Sequence, residues 1–306
     1  VQTLTNLLLP AKKSANLLYI TLPFSLSHDN GMITISGLFY YPIKGCKGWA
    51  LDAAHLTERG IAFDRHFMVV NSKGRFLTQR EIPRMALIEP TLAHGTLTLS
   101  APTMETLRIP HTDEGDVENV VVWEDTCEAV SQGREAAEWL THFLETDTHL
   151  VTMHRDFRRT VDRTYAVRPS DHTGFADGFQ MLLASEASLE SLNARLIETG
   201  SEPVPMNRFR PNIVVKGCDA FAEDSWKHFV VQNRLGSVEM NGVKPCGRCI
   251  VTTVDQASGT KTGAEPIATL KKFRRNADGT KVLFGQNVIH RSTGTIAVGD
   301  RIELLA

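Results

Sequence analysis

Residues 244–254 read Lys-Pro-Cys-Gly-Arg-Cys-Ile-Val-Thr-Thr-Val. Two thiols and a guanidinium fall between Cys246 and Cys249. Gly247 lets the backbone turn, and the β-branched run Ile250 to Val254 predicts a buried strand. Cys249 is then expected where a loop meets a strand, a rigid place to hold a reactive group. The spacing admits four meanings. Half of a zinc site needs a second pair about 12–20 residues on, and Cys46, Cys127 and Cys218 do not supply one. A redox dithiol ordinarily opens a helix, whose N-terminus lowers the thiol pKa, whereas a strand is expected here. One thiolate on a soft metal or cofactor, with Arg248 holding an anionic part, agrees with ligand softness. Two packed, unreactive thiols fit as well, because free cysteine is among the most buried residue types. Spacing alone leaves these open.

Outward from this stretch, Phe284-Gly285-Gln286-Asn287 opens a strand, and Gly285 is a place where a backbone can approach a ligand. Thr295 to Leu305 reads as a terminal strand pair. On the N-terminal side, residues 229–232 and 237–240 read as a hairpin turning at Gly236. Arg208-Phe209-Arg210-Pro211-Asn212 leads into a strand at 213–216, and Pro211 keeps Arg210 extended. An arginine on a fixed backbone suits bidentate phosphate binding; a structural ion pair is the equal alternative. Phe175-Ala176-Asp177-Gly178 is a turn before an apolar segment, and Ser185 caps a helix. Leu189, Leu192, Leu196 and Ile197 should line its buried face, and Gly200 ends it.

Further out, Ile33 to Tyr41 reads as a strand closed by Pro42. Lys44-Gly45-Cys46-Lys47-Gly48 follows, a loop able to turn N–H groups and ammonium ions onto a phosphate. Such loops are more often solvated turns. Phe63-Asp64-Arg65-His66 enters a strand at 67–71, which returns at 75–79. Pairing of Arg65 with Asp64 or another carboxylate is its commoner fate. Short strands around Leu87, Leu97 and Val121 give the pattern of a small barrel or sandwich. Residues 135–145 form a helix with Ala136, Leu140, Phe143 and Leu144 on one face. Arg155, Arg158, Arg159 and Arg163 alternate with Asp156 and Asp162, a solvated run or a docking surface for an acidic electron donor.

The 306 residues suggest two domains. The net charge of −2 points to no nucleic-acid partner. Five cysteines, an odd number, argue for a reducing compartment, here cytoplasmic. No run reaches the roughly 20 apolar residues of a transmembrane span. Residues 1–31 look foreign: Lys12 and Lys13 precede an apolar run, Leu17 to Leu26, broken by Pro23. A poorly ordered extension or leader is expected there, with Met32 as the natural start.

Taken in order, Tyr41-Pro42-Ile43-Lys44, Phe63-Asp64-Arg65, Ala184-Ser185-Glu186-Ala187-Ser188-Leu189, Phe209-Arg210-Pro211-Asn212, Cys246-Gly247-Arg248-Cys249 with Thr252-Thr253-Val254-Asp255, Phe284-Gly285-Gln286-Asn287 and Val298-Gly299-Asp300 resemble the molybdenum-cofactor sulfurase C-terminal domain (MOSC) family. Within it the chain is similar to the mitochondrial amidoxime-reducing components and the bacterial YcbX-type proteins. The resemblance implies a mostly β fold with a few helices (α+β), an N-terminal β-barrel domain (32–160) packed on a MOSC β-barrel domain (161–306). It implies one molybdenum–molybdopterin, with Cys249 as the protein thiolate on the metal and as the catalytic residue. By the same resemblance Lys44, Gly45, Arg65, Gly178, Arg210, Gly247, Arg248 and Asn287 line the pterin and its phosphate. Two positions depart: Gly45, where relatives often carry Ser, and Asn287, where the mitochondrial forms carry Tyr. The implied activity is reduction of small N-hydroxylated substrates (amidoximes, hydroxamic acids, N-hydroxylated bases). YcbX-type relatives carry a two-iron ferredoxin domain whose cysteine cluster is not found within these residues. The implied donor is a separate electron-transfer protein of ferredoxin or cytochrome b5 type. Sulfur transfer through Cys249, and cofactor binding or carriage without catalysis, are the rival functions.

Overall fold

The computed structural model describes residues 31–234 and 236–305, and the expected N-terminal extension, Gly31 apart, lies outside them. Among the described residues the protein is mostly β with three α-helices, α1 (Arg134–Leu144), α2 (Glu186–Glu198) and α3 (Ile267–Phe273). Seven strands close into a barrel: Ile213–Lys216, Met181–Ser185, Val282–His290, Gly236–Arg248, His228–Asn233, Arg301–Leu305 and Ile33–Tyr40, which returns to Ile213–Lys216. Closure removes open sheet edges. Its core is apolar and includes Ile35, Leu38, Leu183, Ile213, Phe229, Met240 and Val288. The strand that completes it comes from the N-terminal end of the chain, and Trp49–Leu51 extends the sheet beyond it.

The second body is a half-barrel. Phe67–Asn71, Thr148–Met153, Asp125–Ser131 and Val117–Val122 form one antiparallel sheet, and Glu89–Ala93, Thr96–Ser100 and Leu107–Pro110 another. Helix α1 presents Ala136, Trp139, Leu140, Phe143 and Leu144 to the core between them, as its 3.6-residue periodicity requires. The return at 75–79 is a single bridge, Val70 to Phe76, rather than a strand.

The long strand Gly236–Arg248 aims the central motif. Against Val282–His290 its register shifts twice, between Gly242 and Lys244 and between Pro245 and Gly247. Bulges of this kind bend a strand and re-aim its side chains. Pro245 sits at one of them, where a missing N–H is tolerated. Gly242 is required at the other, because a Cβ there would lie 1.9 Å from the Trp226 carbonyl.

Two elements differ from expectation. Ile250–Thr253 is a turn of 3-10 helix, not a strand, and Ile250 is exposed. The Thr252 and Thr253 hydroxyls donate to the Cys249 and Ile250 carbonyls at 3.0 and 2.8 Å, local bonds that compete with a ladder. The terminal strands Gly294–Ala297 and Arg301–Leu305 do not pair with each other: the first joins Ala53–Thr57, the second the barrel.

Helix α2 starts as read, with the Ser185 hydroxyl accepting from the Ser188 N–H at 3.1 Å. Ile197, however, faces solvent while Leu192 and Leu196 are buried. The same cap holds a buried carboxylate: Glu223 accepts from both the Ser185 and the Ser188 hydroxyl at 3.0 and 2.7 Å. Ser185→Ala removes the cap and leaves the carboxylate short of a donor. We expect a loss of about 1–3 kcal/mol, read as a lower urea midpoint with an unchanged slope.

Candidate functional site: a cation-lined cleft with one cysteine face

A cleft of about 570 Å³ lies between the half-barrel and the barrel. Lys44, Gly45 and Arg65 line it from the N-terminal side. Gly178, Arg210 and Asn287 line it from the barrel, and Gly247, Arg248 and Cys249 from the end of the long strand. All nine positions singled out in the sequence therefore meet in one place. The lining also includes Arg80 and Lys281, so six cationic side chains face a single lining carboxylate, Asp177.

Four of these cations, Lys44, Arg65, Arg210 and Arg248, are held by the fold. Lys44 is buried, and its ammonium donates to the Phe175 carbonyl at 2.9 Å and pairs with Asp177. Burial draws the Lys44 pKa down, and Asp177 opposes the shift. Gly45 turns the loop with φ +82°, left-handed backbone that favours glycine. Arg65 pairs with the buried carboxylate of Asp64 at 2.7 Å, the commoner fate the sequence suggested, and donates to the Asn212 side-chain oxygen at 3.1 Å. It nonetheless remains part of the cleft wall.

Tyr41 is the shared floor for two arginines. The guanidinium carbons of Arg65 and Arg210 lie 4.1 and 4.3 Å from its ring centroid, within cation–π range. Its hydroxyl donates to the Pro211 carbonyl at 3.0 Å, and burial pushes its pKa up to about 12. Burial, with Arg65 adding repulsion, lowers Arg210 to about 10. Arg210 also has left-handed backbone, φ +54°, so Pro211 does not leave it in the extended form expected. Unfavourable backbone of this kind persists where surrounding contacts impose it.

Arg248 donates to the Cys246 sulfur at 3.0 Å and to the Phe209 carbonyl at 2.7 Å. Cys246 and Cys249 both line the cleft and are half-buried, and it is the Cys246 sulfur that Arg248 holds. Asn287 donates to the Lys244 carbonyl at 3.0 Å, which fixes its amide beside the central motif. One expectation is corrected: Arg159 is buried, not solvated. It pairs with Asp125 at 2.7 Å and donates to the carbonyls of Gly174, Ala176 and Asp177, holding the loop that carries Gly178. Sequence reading missed Arg80, Trp123, Gln79 and Lys281; only the structure brings them to the cleft.

A cleft of this kind, rich in cations and lined by the thiols of Cys246 and Cys249 where the half-barrel meets the barrel, has the chemistry to take an anionic group that a soft sulfur ligand can anchor. Residues 32–147 match the MOSC N-terminal beta barrel domain and residues 170–303 the MOSC domain. Mitochondrial amidoxime-reducing component 1 of Homo sapiens is 37% identical over 287 residues, covering 89% of this chain and 83% of that protein. The Mus musculus protein of the same name is 36% identical over 292 residues, covering 89% and 82%. That of Xenopus laevis is 34% identical over 285 residues, covering 88% and 81%. The chain belongs to the MOSC-domain family, in the company of the amidoxime-reducing components.

That family implies a molybdenum cofactor, and the residues present fit one. The Arg210 Nη2 and Arg248 Nε atoms are buried with no protein partner, donors that an anionic group would satisfy. Among the described residues no group of three or more His, Cys, Asp or Glu side chains could hold a metal ion. No helix of the described residues is long and apolar enough to cross a membrane.

Four of the five free thiols should separate by reactivity. Burial pushes Cys46 up to about 12 and Cys127 up to about 11, so neither forms appreciable thiolate at pH 8. Cys246 and Cys249 are half-buried at the cleft. Maleimide at pH 8 should label these two before Cys46 and Cys127, as read by peptide mass spectrometry.

Proposed function

We propose that this protein is a molybdenum-cofactor-dependent reductase of N-hydroxylated compounds: amidoximes, hydroxamic acids and N-hydroxylated bases. The supporting observation is the meeting of Cys249 with six cationic side chains in one cleft, in a chain whose relatives are named amidoxime-reducing components. In this reading Cys249 binds the metal as a thiolate. Lys44, Arg65, Arg210 and Arg248 hold the pterin and its phosphate, with Gly45, Gly178, Gly247 and Asn287 shaping the same bed. When bound, the cofactor supplies two-electron oxygen-atom-transfer chemistry.

The balance of the reaction is simple. An amidoxime, two electrons and two protons give an amidine and water. The chain itself contributes position and charge. Its arginines and lysines neutralise the anionic cofactor. Leu77, Leu182 and Val251 give the cleft apolar wall against which an organic substrate can lie. The electrons come, in this proposal, from a separate protein of ferredoxin or cytochrome b5 type. We take residues 32–160 and 161–306 as the two domains. The cytoplasmic placement rests on the five free thiols; the relatives are named mitochondrial, and cell fractionation distinguishes the two.

The protein, purified from cells that make molybdenum cofactor, should reduce benzamidoxime with chemically reduced viologen, which bypasses the partner. Cys249→Ala should abolish turnover while the circular dichroism stays native. Full activity in that variant would sink the proposal. Cyanide-labile sulfur on Cys249 without amidoxime turnover would point instead to sulfur transfer, and bound cofactor with neither property to carriage.

A further inference from the structure

Gln79 and Gln256 lie outside every motif singled out in the sequence, yet they face each other across the cleft wall. Gln79 is 1% exposed and follows the half-barrel turn at Phe76. Gln256 follows the short strand Val254–Asp255, just beyond Cys249. Their amides are reciprocally bonded: Gln79 Nε2 donates to Gln256 Oε1 at 3.1 Å, and Gln256 Nε2 donates to Gln79 Oε1 at 2.8 Å. The remaining capacity goes outward. Gln79 Nε2 also donates to the Gly45 carbonyl at 2.7 Å, and Gln256 Nε2 to the Val254 carbonyl at 3.1 Å. Gln256 Oε1 accepts a second bond, from Arg210 Nη1 at 3.2 Å.

This pattern fixes the direction of both amides. A primary amide has two donors and two acceptor sites, and Gln256 uses all four. Turned over, it would set its NH2 against two donors, Gln79 Nε2 and Arg210 Nη1. Arg210 therefore has one nitrogen held by Gln256 and its backbone carbonyl held by Arg65 at 3.2 Å. Its other terminal nitrogen, Nη2, is buried and without a protein acceptor. The network also forms a partition. Gln79 and Arg210 line the 570 Å³ cleft, while Gln256 and Arg210 line a second cavity of about 410 Å³.

We propose that Gln79 and Gln256 are positioning residues, a clamp that sets the Arg210 guanidinium and the Gly45 loop for the phosphate of the bound cofactor. The inference rests on the reading of the cleft as a cofactor site. Three anchors meet in the clamp: the Gly45 loop, Arg210, and the segment that carries Cys249. Breaking it frees Arg210 to rotate and lets the Gly45 loop drift from the metal-binding thiol. Retention of the cofactor depends on the clamp more than folding does.

The test uses the full chain purified from cells that make molybdenum cofactor, as wild type, Gln79→Leu, Gln256→Leu and the double variant. Molybdenum is counted by mass spectrometry and pterin by fluorescence after oxidation. Melting temperature is measured for loaded and cofactor-stripped protein. Each single variant should retain cofactor about tenfold less well, and the double variant no worse than the weaker single, as expected for one coupled unit. The gap between loaded and stripped melting temperatures should narrow. A merely structural role would lower both temperatures together and leave the gap unchanged, which overturns the inference. Gln256→Glu covers a failure of the leucine variants to fold. It keeps an acceptor for Arg210 but offsets its charge, so the stripped form should stay folded while retention drops. Wild-type retention in that variant also overturns the inference. A wild-type protein that carries no molybdopterin overturns the cofactor reading itself, and this inference with it.

Discussion

One buried amide ties the cleft together. Asn212 is 2% exposed. Its Oδ1 accepts from Arg65 Nη1 at 3.1 Å and from the Leu182 N–H at 3.2 Å, and its Nδ2 donates to the Phe39 carbonyl at 3.1 Å. Its backbone bonds Phe39 and Leu182 as well, both at 2.8 Å. Three segments far apart in sequence are thereby fixed to one residue: the first barrel strand, the Asp64–Arg65 turn and the strand Met181–Ser185. Leu182 in turn pairs with Asn287, and Asn287 with Lys244, which leads directly into the cysteine motif. A buried amide with its partners present can specify one arrangement, and the same low-dielectric setting makes a missing partner costly. The closed barrel supplies the surrounding rigidity.

That rigidity has an electrostatic purpose. Arg65 and Arg210 share one tyrosine ring, and Lys44 and Arg248 line the same cleft. Like charges at this spacing oppose one another. Burial works against them too, as the lowered pKa values of Lys44 and Arg210 record. Asp64 and Asp177 offset part of the charge, and the Tyr41 ring offsets part through its π face. Buried donors on Arg210 and Arg248 still lack partners. Local rules of stability are broken where a ligand is meant to complete them. An anionic cofactor would restore the balance in a protein whose overall charge is close to neutral.

Much of this could be read from the sequence, and what could not has physical reasons. Helix α1, the Ser185 cap and the hairpin at Gly236 follow from periodicity and capping chemistry, which are local. The nine cleft residues come from six separate places in the sequence, and only the resemblance carried by the ordered motifs implies that they share a site. The run Ile250–Thr253 misled because a short β-branched stretch looks alike as strand or tight turn, and its two threonine hydroxyls decide the matter locally. Gly285 reads in the sequence as an approach for a ligand, yet a Cβ there would lie 2.7 Å from the Leu183 carbonyl of the neighbouring strand. Arg159 read as solvated because nothing in its neighbourhood announces Asp125 or the three carbonyls it binds. The Gln79–Gln256 pair spans 177 positions. No pattern in a single sequence connects two such glutamines; only closure of the half-barrel on the barrel does.

The central claim is that the cleft holds a metal-bearing cofactor through the Cys249 sulfur. Molybdenum K-edge X-ray absorption on the loaded protein and on Cys249→Ser tests it most directly, since the method counts sulfur neighbours of the metal. The account predicts one sulfur fewer in the variant, with a lighter scatterer or a vacant position in its place. An identical sulfur shell in both proteins would contradict it.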